Sequence, residues 1–281
     1  MPPKLNKNVL ILGGSGLLGS HCVQYFSKNY NVYWTYNTLK NIVPNGIKFS
    51  FFENLESLSK IFNFTKPNII INAIGLVSVD SCEINKKHAY DLNQNFVEII
   101  VSTLEKLKMT QTYFVHISSG GVYGKRIHGK DTPWKETDNL NPLSVYAKSK
   151  IGGEKNALNY IGPKLIIRSD FYGINDLQRK HSLLSWIIYN AKNQIPMEGW
   201  ENIFFSPISA NKLSRTIDTL IQNKLTGIFN ISSTNYCNKF EFVDVACDTI
   251  KIKPMLKTNE VVSKIRPRYS VLSCQKIKSK I

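Results

Sequence analysis

Residues 9–12 are apolar throughout and run straight into Gly13-Gly14-Ser15-Gly16-Leu17-Leu18-Gly19. A short continuous apolar run ending at a glycine suits a strand buried on both faces. Gly13, Gly16 and Gly19 are three apart. The first permits a tight turn, the second lets backbone approach a pyrophosphate, and the third allows close helix–strand packing. The positive end of the following helix favours the anion. A glycine-rich turn that binds nothing would carry the same spacing, so the reading rests on context: a strand before it and helical spacing over residues 16–28 after it.

That context continues. Strand-like runs at residues 32–36, 48–52, 69–73, 112–117 and 165–168 alternate with helix-like segments at 55–64, 86–107 and 145–160. This period predicts βαβ units with right-handed connections, hence an α/β, Rossmann-like, doubly wound parallel sheet. After about residue 170 the pattern loosens, with helical spacing left at 187–193, 212–222 and 240–250. The expected division is a dinucleotide-binding domain over residues 1–170 and a mainly substrate-binding, small C-terminal cap over 171–281. A chain of 281 residues with 42 % hydrophobic content can bury such a core.

The ligand's class follows from an absence. Sites specific for NAD place an acid on the adenosine ribose roughly 20 residues after the glycines. Here no Asp or Glu precedes Glu53, and the second strand ends in Thr35-Tyr36-Asn37-Thr38-Leu39-Lys40. Asn37 can donate to a ribose phosphate and Lys40 can neutralise it, so NADP(H) is the expected cofactor; a solvated Lys40 is the plain alternative.

Tyr146-Ala147-Lys148-Ser149-Lys150 supplies a reactive pair. Four apart on a helix, Tyr146 and Lys150 share a face. An ammonium beside a phenol lowers its pKa, and a shift from about 10 to 7 takes roughly 4 kcal/mol, which Lys150 and an oxidised nicotinamide would supply jointly. Tyr146 is expected to exchange a proton with a substrate oxygen while the cofactor moves hydride. Ser118-Ser119, at the end of the strand over 112–117, is placed to hold a carbonyl. A surface tyrosine with a solvated lysine is the competing reading of the pair alone.

The formal charge of +16 makes polyanions candidate partners. The lysines are scattered and no nucleic-acid motif occurs, so a solvated basic surface is expected and no nucleic acid. Five cysteines (Cys22, Cys82, Cys237, Cys247, Cys274) without a Cys-x-x-Cys point to a reducing compartment and no metal site. The polar N-terminus and the short run at 9–12 predict neither signal peptide nor membrane span, and a cytoplasmic protein. A homodimer is left open.

Taken together, Ser118-Ser119-Gly120-Gly121-Val122-Tyr123-Gly124, Glu136, Pro142, Tyr146 and Lys150 resemble the extended short-chain dehydrogenase/reductases that act on nucleotide sugars. More narrowly the chain is similar to the dTDP-4-dehydrorhamnose reductase family. The segment from Asn72-Ala73-Ile74-Gly75 through Val77 to Val79-Asp80-Ser81-Cys82-Glu83, then Leu92-Asn93, Tyr146 to Glu154, Phe205-Ser206-Pro207, residues 227–231 and Arg266-Pro267-Arg268-Tyr269-Ser270-Val271-Leu272 resemble that family's motifs in order.

The resemblance implies NADPH-dependent reduction of a 4-keto nucleotide sugar, with Ser119, Tyr146 and Lys150 catalytic. It implies cofactor contacts from Gly13, Ser15, Gly16, Leu17, Leu18, Gly19, Tyr36, Asn37, Lys40, Asn72, Ala73, Ile74, Gly75, Asn93, Ser118, Tyr146 and Lys150. Val77, Gly120, Gly121 and Arg266 would meet the substrate, though Arg266 could equally bridge surface or core.

Two departures bear on the sugar. The family commonly has Asp-Tyr where this chain has Gly120-Gly121, and Phe51 stands where an acid usually lies near the adenine. The glycines are expected to leave room beside the sugar. Because they carry no acid, a dehydratase is disfavoured. An epimerase retaining NAD and a non-catalytic NADP-binding regulatory subunit remain the alternatives.

Overall fold

The computed structural model describes residues 5–38, 44–52, 55–126, 131–175 and 182–281. In chain order the elements begin β1 (Asn8–Leu12), α1 (Leu17–Phe26), β2 (Asn31–Tyr36), β3 (Gly46–Lys48), α2 (Ser57–Thr65), β4 (Ile69–Asn72) and α3 (Val79–Ile84). Then come α4 (Lys86–Tyr90), α5 (Phe96–Lys106), β5 (Tyr113–Ile117), α6 (Val145–Asn159), β6 (Lys164–Arg168) and β7 (Phe171–Tyr172). The last part holds α7 (Leu183–Lys192), β8 (Met197–Trp200), β9 (Phe204–Phe205), β10 (Ile208–Ser209), α8 (Ala210–Gln222) and β11 (Gly227–Asn230). It ends with β12 (Cys237–Asn238), α9 (Lys239–Thr249), β13 (Leu256–Asn259), β14 (Tyr269–Ser270) and α10 (Gln275–Lys278).

Seven parallel strands form one sheet in the order β11-β6-β5-β4-β1-β2-β3. Their side chains alternate between two cores. Val9 and Ile11 face one cluster with Cys22, Phe26, Leu213 and Ile217. Leu10 and Leu12 face the other with Phe62, Phe96, Ile100 and Leu104. Burial on both faces explains why the strands read as continuous apolar runs. The strand order reverses between β1 and β4, where the carboxyl ends of the strands open a crevice.

Three stretches differ from the sequence reading. The third strand is Gly46–Lys48 rather than 48–52. Phe49 and Phe51 turn into an aromatic cluster, their ring centroids 5.7 and 5.5 Å from that of Phe96, so packing and not a ladder uses that apolar run. The helix expected over 86–107 contains a π-helical turn, Asp91–Asn95, between α4 and α5. Finally, the boundary at residue 170 marks where the chain first leaves the sheet, not where the sheet ends. After the excursion, α8 packs against α1, where Cys22 Sγ meets Ser214 Oγ (3.4 Å); Tyr30, in the turn after α1, donates to Asp218 (2.6 Å), and β11 pairs with β6.

What remains of the C-terminal part is a second lobe with its own cluster of Ile187, Ala191, Met197, Val243 and Cys247. No helix among the described residues is long and apolar enough to cross a membrane.

Candidate active site

The glycine turn is shaped by close backbone approaches. Gly13 has φ +82°, a left-handed conformation that favours glycine, and donates its N–H to Thr35 Oγ1 at 2.9 Å. A Cβ on Gly19 would fall 2.1 Å from the Gly13 carbonyl oxygen. At Gly16 the nearest atom to such a Cβ, the same oxygen, would lie 3.2 Å away. No side chain caps α1. A helix start left to backbone N–H groups, reached through glycine, fits a pyrophosphate.

The opposite wall is the segment after β4, and two buried asparagines hold it. Asn72 Oδ1 accepts from the Ile74 N–H at 3.2 Å. Asn93 accepts from the Leu76 N–H (2.9 Å) and donates to the Leu76 carbonyl (3.0 Å) and Ser149 Oγ (3.0 Å). Asn93 sits in the π-helical turn, whose extra residue re-aims side chains there. Both asparagines act through the backbone they fix, leaving Ala73, Ile74, Gly75 and Val77 to line the cleft.

Ser144 Oγ caps α6 by accepting from the Ala147 N–H (3.1 Å), and Glu83 accepts from the Val145 N–H (2.7 Å). The helix thus started turns Tyr146 and Lys150 to one face. The Lys150 ammonium donates to the Ile117 carbonyl. Burial pushes Lys150 down to about 8, against the upward pull of the Glu154 charge. Burial also pushes Tyr146 up to about 12; the Ser119 hydroxyl beside it opposes this and the Asp170 charge adds to it. Among the protein's own groups, desolvation outweighs any lowering of the phenol by Lys150, whose ammonium is engaged by the Ile117 carbonyl.

Ser119 is the hub. Its Oγ accepts from the Gly121 N–H (3.1 Å) and donates to Asp170 Oδ1 (3.2 Å), and Tyr146 stands beside it: a Cβ on Gly121 would lie 3.5 Å from Ser119 Oγ and 3.9 Å from the Tyr146 ring. Asp170 was not singled out in the sequence, where it reads only as part of a polar turn after a strand. Burial raises its carboxyl above the ordinary value; the Lys239 charge and hydrogen bonds from Gly120, Ser119 and Ser270 oppose that. Its position matches that of Ser119, just past the carboxyl end of a parallel strand, and this rule was the signal available.

Two expectations are corrected here. The space beside Gly120 is not open, since Asp170 fills it, and only Gly121 faces the cleft. The lack of an acid at Gly120-Gly121 therefore gives no ground against proton chemistry beside the carbonyl.

Beneath this layer lies a buried ion pair, Arg168 Nη2–Glu154 Oε2 at 2.6 Å. Ser118 Oγ donates to Glu154 (2.5 Å), Arg168 donates to Tyr123 Oη (3.0 Å), and Tyr123 donates to Asn230 (2.8 Å). The network ties α6, β6 and β11 to the turn Gly120–Tyr123. It explains why the Ser118 hydroxyl is turned to Glu154 while that of Ser119 is turned to Asp170.

The cleft has a volume of about 770 Å³. It brings together Gly16, Leu17, Leu18, Ala73 to Gly75, Val77, Ser118, Ser119, Gly121, Tyr146, Lys150 and Arg266, with Trp186, Glu198, Trp200 and Lys239 from the second lobe. Gly13, Gly19 and the buried Ser15, whose carbonyl accepts from Asn175 (2.8 Å), shape the turn from behind. Tyr36 and Asn37 stand at the end of β2, and Lys40 lies outside the described residues. Arg266 pairs with Asp80, Nη2–Oδ2 2.6 Å.

Comparisons with known proteins agree with this architecture. The chain is 27 % identical over 272 residues to spore coat polysaccharide biosynthesis protein SpsK of Bacillus subtilis, covering 94 % of this chain and 88 % of that protein. It is 33 % identical over 126 residues to dTDP-4-dehydrorhamnose reductase of Aggregatibacter actinomycetemcomitans, a match spanning 43 % of this chain and 41 % of the relative. A crystal structure described as a hypothetical dTDP-4-dehydrorhamnose reductase of Sulfolobus tokodaii superposes with a TM-score of 0.81 at 28 % identity, covering 98 % of this chain and 94 % of that one. Residues 7–281 match the RmlD substrate binding domain family, and the chain belongs to it.

Proposed function

We propose that this protein is an NADPH-dependent oxidoreductase that reduces the keto group of a nucleotide sugar, as the names of its relatives imply for them. The observation that carries the reading is the convergence of Ser119, Tyr146 and Lys150 on one cleft whose other wall is the glycine turn. In this reading residues 13–19 and 73–75 hold the dinucleotide, Lys150 holds its ribose, and the second lobe covers the nucleotide sugar.

The bound dinucleotide supplies hydride. The protein's own part is the oxygen. Ser119 and Tyr146 stand side by side on the cleft wall, so a carbonyl oxygen between them meets two hydroxyl groups. A phenol held near 12 stays protonated at neutral pH, as a proton donor for reduction must. As charge develops on the oxygen, the single Ser119 hydroxyl proton turns from Asp170 Oδ1 to donate to it, while the Gly120 N–H continues to donate to Asp170. Lys150 keeps the cleft positive behind the phenol.

The preference for NADPH is supported by the acid-free chain up to Phe52 and by Asn37 at the end of β2. The test is consumption of NADPH and of NADH by the purified protein against a panel of nucleotide-linked 4-keto sugars. Reduction of at least one sugar with NADPH, and tighter binding of NADPH than NADH, is the expected result. Equal or better NADH affinity overturns the cofactor assignment, and no turnover with any keto sugar overturns the reaction.

A further inference from the structure

Ser119 and Gly120 share a carboxylate that comes from another strand. Asp170 lies just past β6, and its Oδ1 accepts from Ser119 Oγ (3.2 Å) and from the Gly120 N–H (3.1 Å). Its Oδ2 stands where a side chain on residue 120 would begin: a Cβ on Gly120 would lie 2.7 Å from it. The two positions exclude each other. Only one of them can present a functional group to this corner of the cleft, and here it is residue 170.

The backbone does not itself require the glycine, since Gly120 is not among the residues with positive φ. Asp170 requires it. An ionised carboxylate offers about four acceptor positions and no donor. Ser119 and the Gly120 N–H occupy part of that capacity, both on Oδ1, and Asp170 lines the cleft. Lys239, on the facing lobe, already supplies a countercharge. A neutral donor therefore completes the corner without adding charge, and a ligand with no donor there leaves a desolvated acceptor unmatched, which is costly.

We propose that Asp170 is a specificity-determining residue, accepting a hydrogen bond from a hydroxyl on the sugar carbon next to the reacting carbonyl. The assignment rests on the keto-sugar reading above. The position follows from Ser119: Asp170 accepts from its hydroxyl, and Tyr146 stands beside it across Gly121 on the same cleft wall, so a group held by Asp170 is a near neighbour of an oxygen held by Ser119 and Tyr146. Sites built to bond a substrate hydroxyl reject the analogue lacking it far more strongly than apolar pockets discriminate by size.

The experiment compares dTDP-4-dehydrorhamnose with its 3-deoxy analogue, by kcat/KM with NADPH and by calorimetric binding of the corresponding 4-hydroxy sugars. The wild type is expected to favour the 3-hydroxy sugar by at least ~10²-fold in kcat/KM. D170A should bring that preference to within a few-fold by losing the 3-hydroxy sugar alone. The exchange G120D/D170G, which returns a carboxylate to the same corner from the other strand, should restore at least a tenfold preference. Should D170A fail to fold because the Gly120 N–H loses its acceptor, D170N keeps that acceptor and should still cut the preference.

Equal losses on both sugars in the Asp170 variants, or no preference in the wild type, overturn the assignment. If the wild type consumes no NADPH with either sugar, the keto-sugar reading falls. The binding data then decide Asp170 separately: a hydroxyl preference that D170A abolishes sustains it, and none overturns it.

Discussion

Arg266 reaches Asp80 at the start of α3, Nη2–Oδ2 2.6 Å, joining the C-terminal segment to the loop that walls the cleft. Arg266 lines the cleft and is the residue proposed to meet a diphosphate there, yet a carboxylate already holds it. D80N should free it and tighten dTDP binding several-fold in calorimetry, while R266A weakens it. Asp80 is well exposed, so stability should change by less than about 1 kcal/mol. Hydrogen bonding to Arg266 holds Asp80 below its ordinary value, so the pair is complete at neutral pH and is lost only as pH falls through that lowered value. Unchanged or weaker binding in D80N would show that Arg266 plays no part in holding phosphate.

Y146F should bind NADPH nearly as the wild type does and lose roughly 10²–10⁴-fold in turnover, the usual worth of a positioned acid. Lys150 gives its proton up near pH 8, so dinucleotide affinity should fall above that pH. The sign for stability is the reverse. Between about 8 and the ordinary 10.5 the unfolded chain binds the proton that the folded one has released, so Lys150's contribution to stability rises across that window. A pH series of NADPH titrations, with K150R moving the limb upward, checks the assignment. A limb unmoved by K150R assigns the titration to another group.

His116 is buried in β5 and its Nε2 has no hydrogen-bond partner among the described residues. Burial, with the Lys150 charge added, holds its pKa well below 6.5. As pH falls below 6.5 the unfolded chain takes up a proton that the folded chain refuses, so stability declines. Thermal unfolding at pH 5 and 7 should show the loss, and H116Q should reduce it. A wild-type midpoint equal at both values contradicts this account.

Glu154 and Arg168 are about 3 and 4 % exposed, and losing one leaves the other's charge buried. E154A should cost about 3–5 kcal/mol in urea unfolding. Turnover should fall as well, because Ser118 and the turn after it lose their anchor. A cost near 1 kcal/mol would mean that water reaches the pair.

The glycine turn, the alternation of strands and helices, and the tyrosine–lysine pair were readable because each is local. Strands buried on both faces must be apolar throughout, a turn against a helix start must be glycine, and side chains four apart on a helix share a face. The family likeness was readable for the same reason, as a string of short motifs in order. Asn93 and Glu83 were visible as motif members, but their work is to hold backbone, and that shows only in hydrogen bonds to Leu76 and Val145, 17 and 62 residues away.

The corner shared by Gly120 and Asp170 belongs to a different kind of information. These residues are 50 apart in the chain and meet because β5 and β6 are neighbours in the sheet, with their carboxyl ends side by side. The return of α8 and β11 to the sheet, and the reach of Arg266 to Asp80, have the same origin. Local patterning specifies which segments form strands and helices. Which strand ends stand together is set by packing all of them around two cores at once, and that placed an acid where the motif itself has glycine.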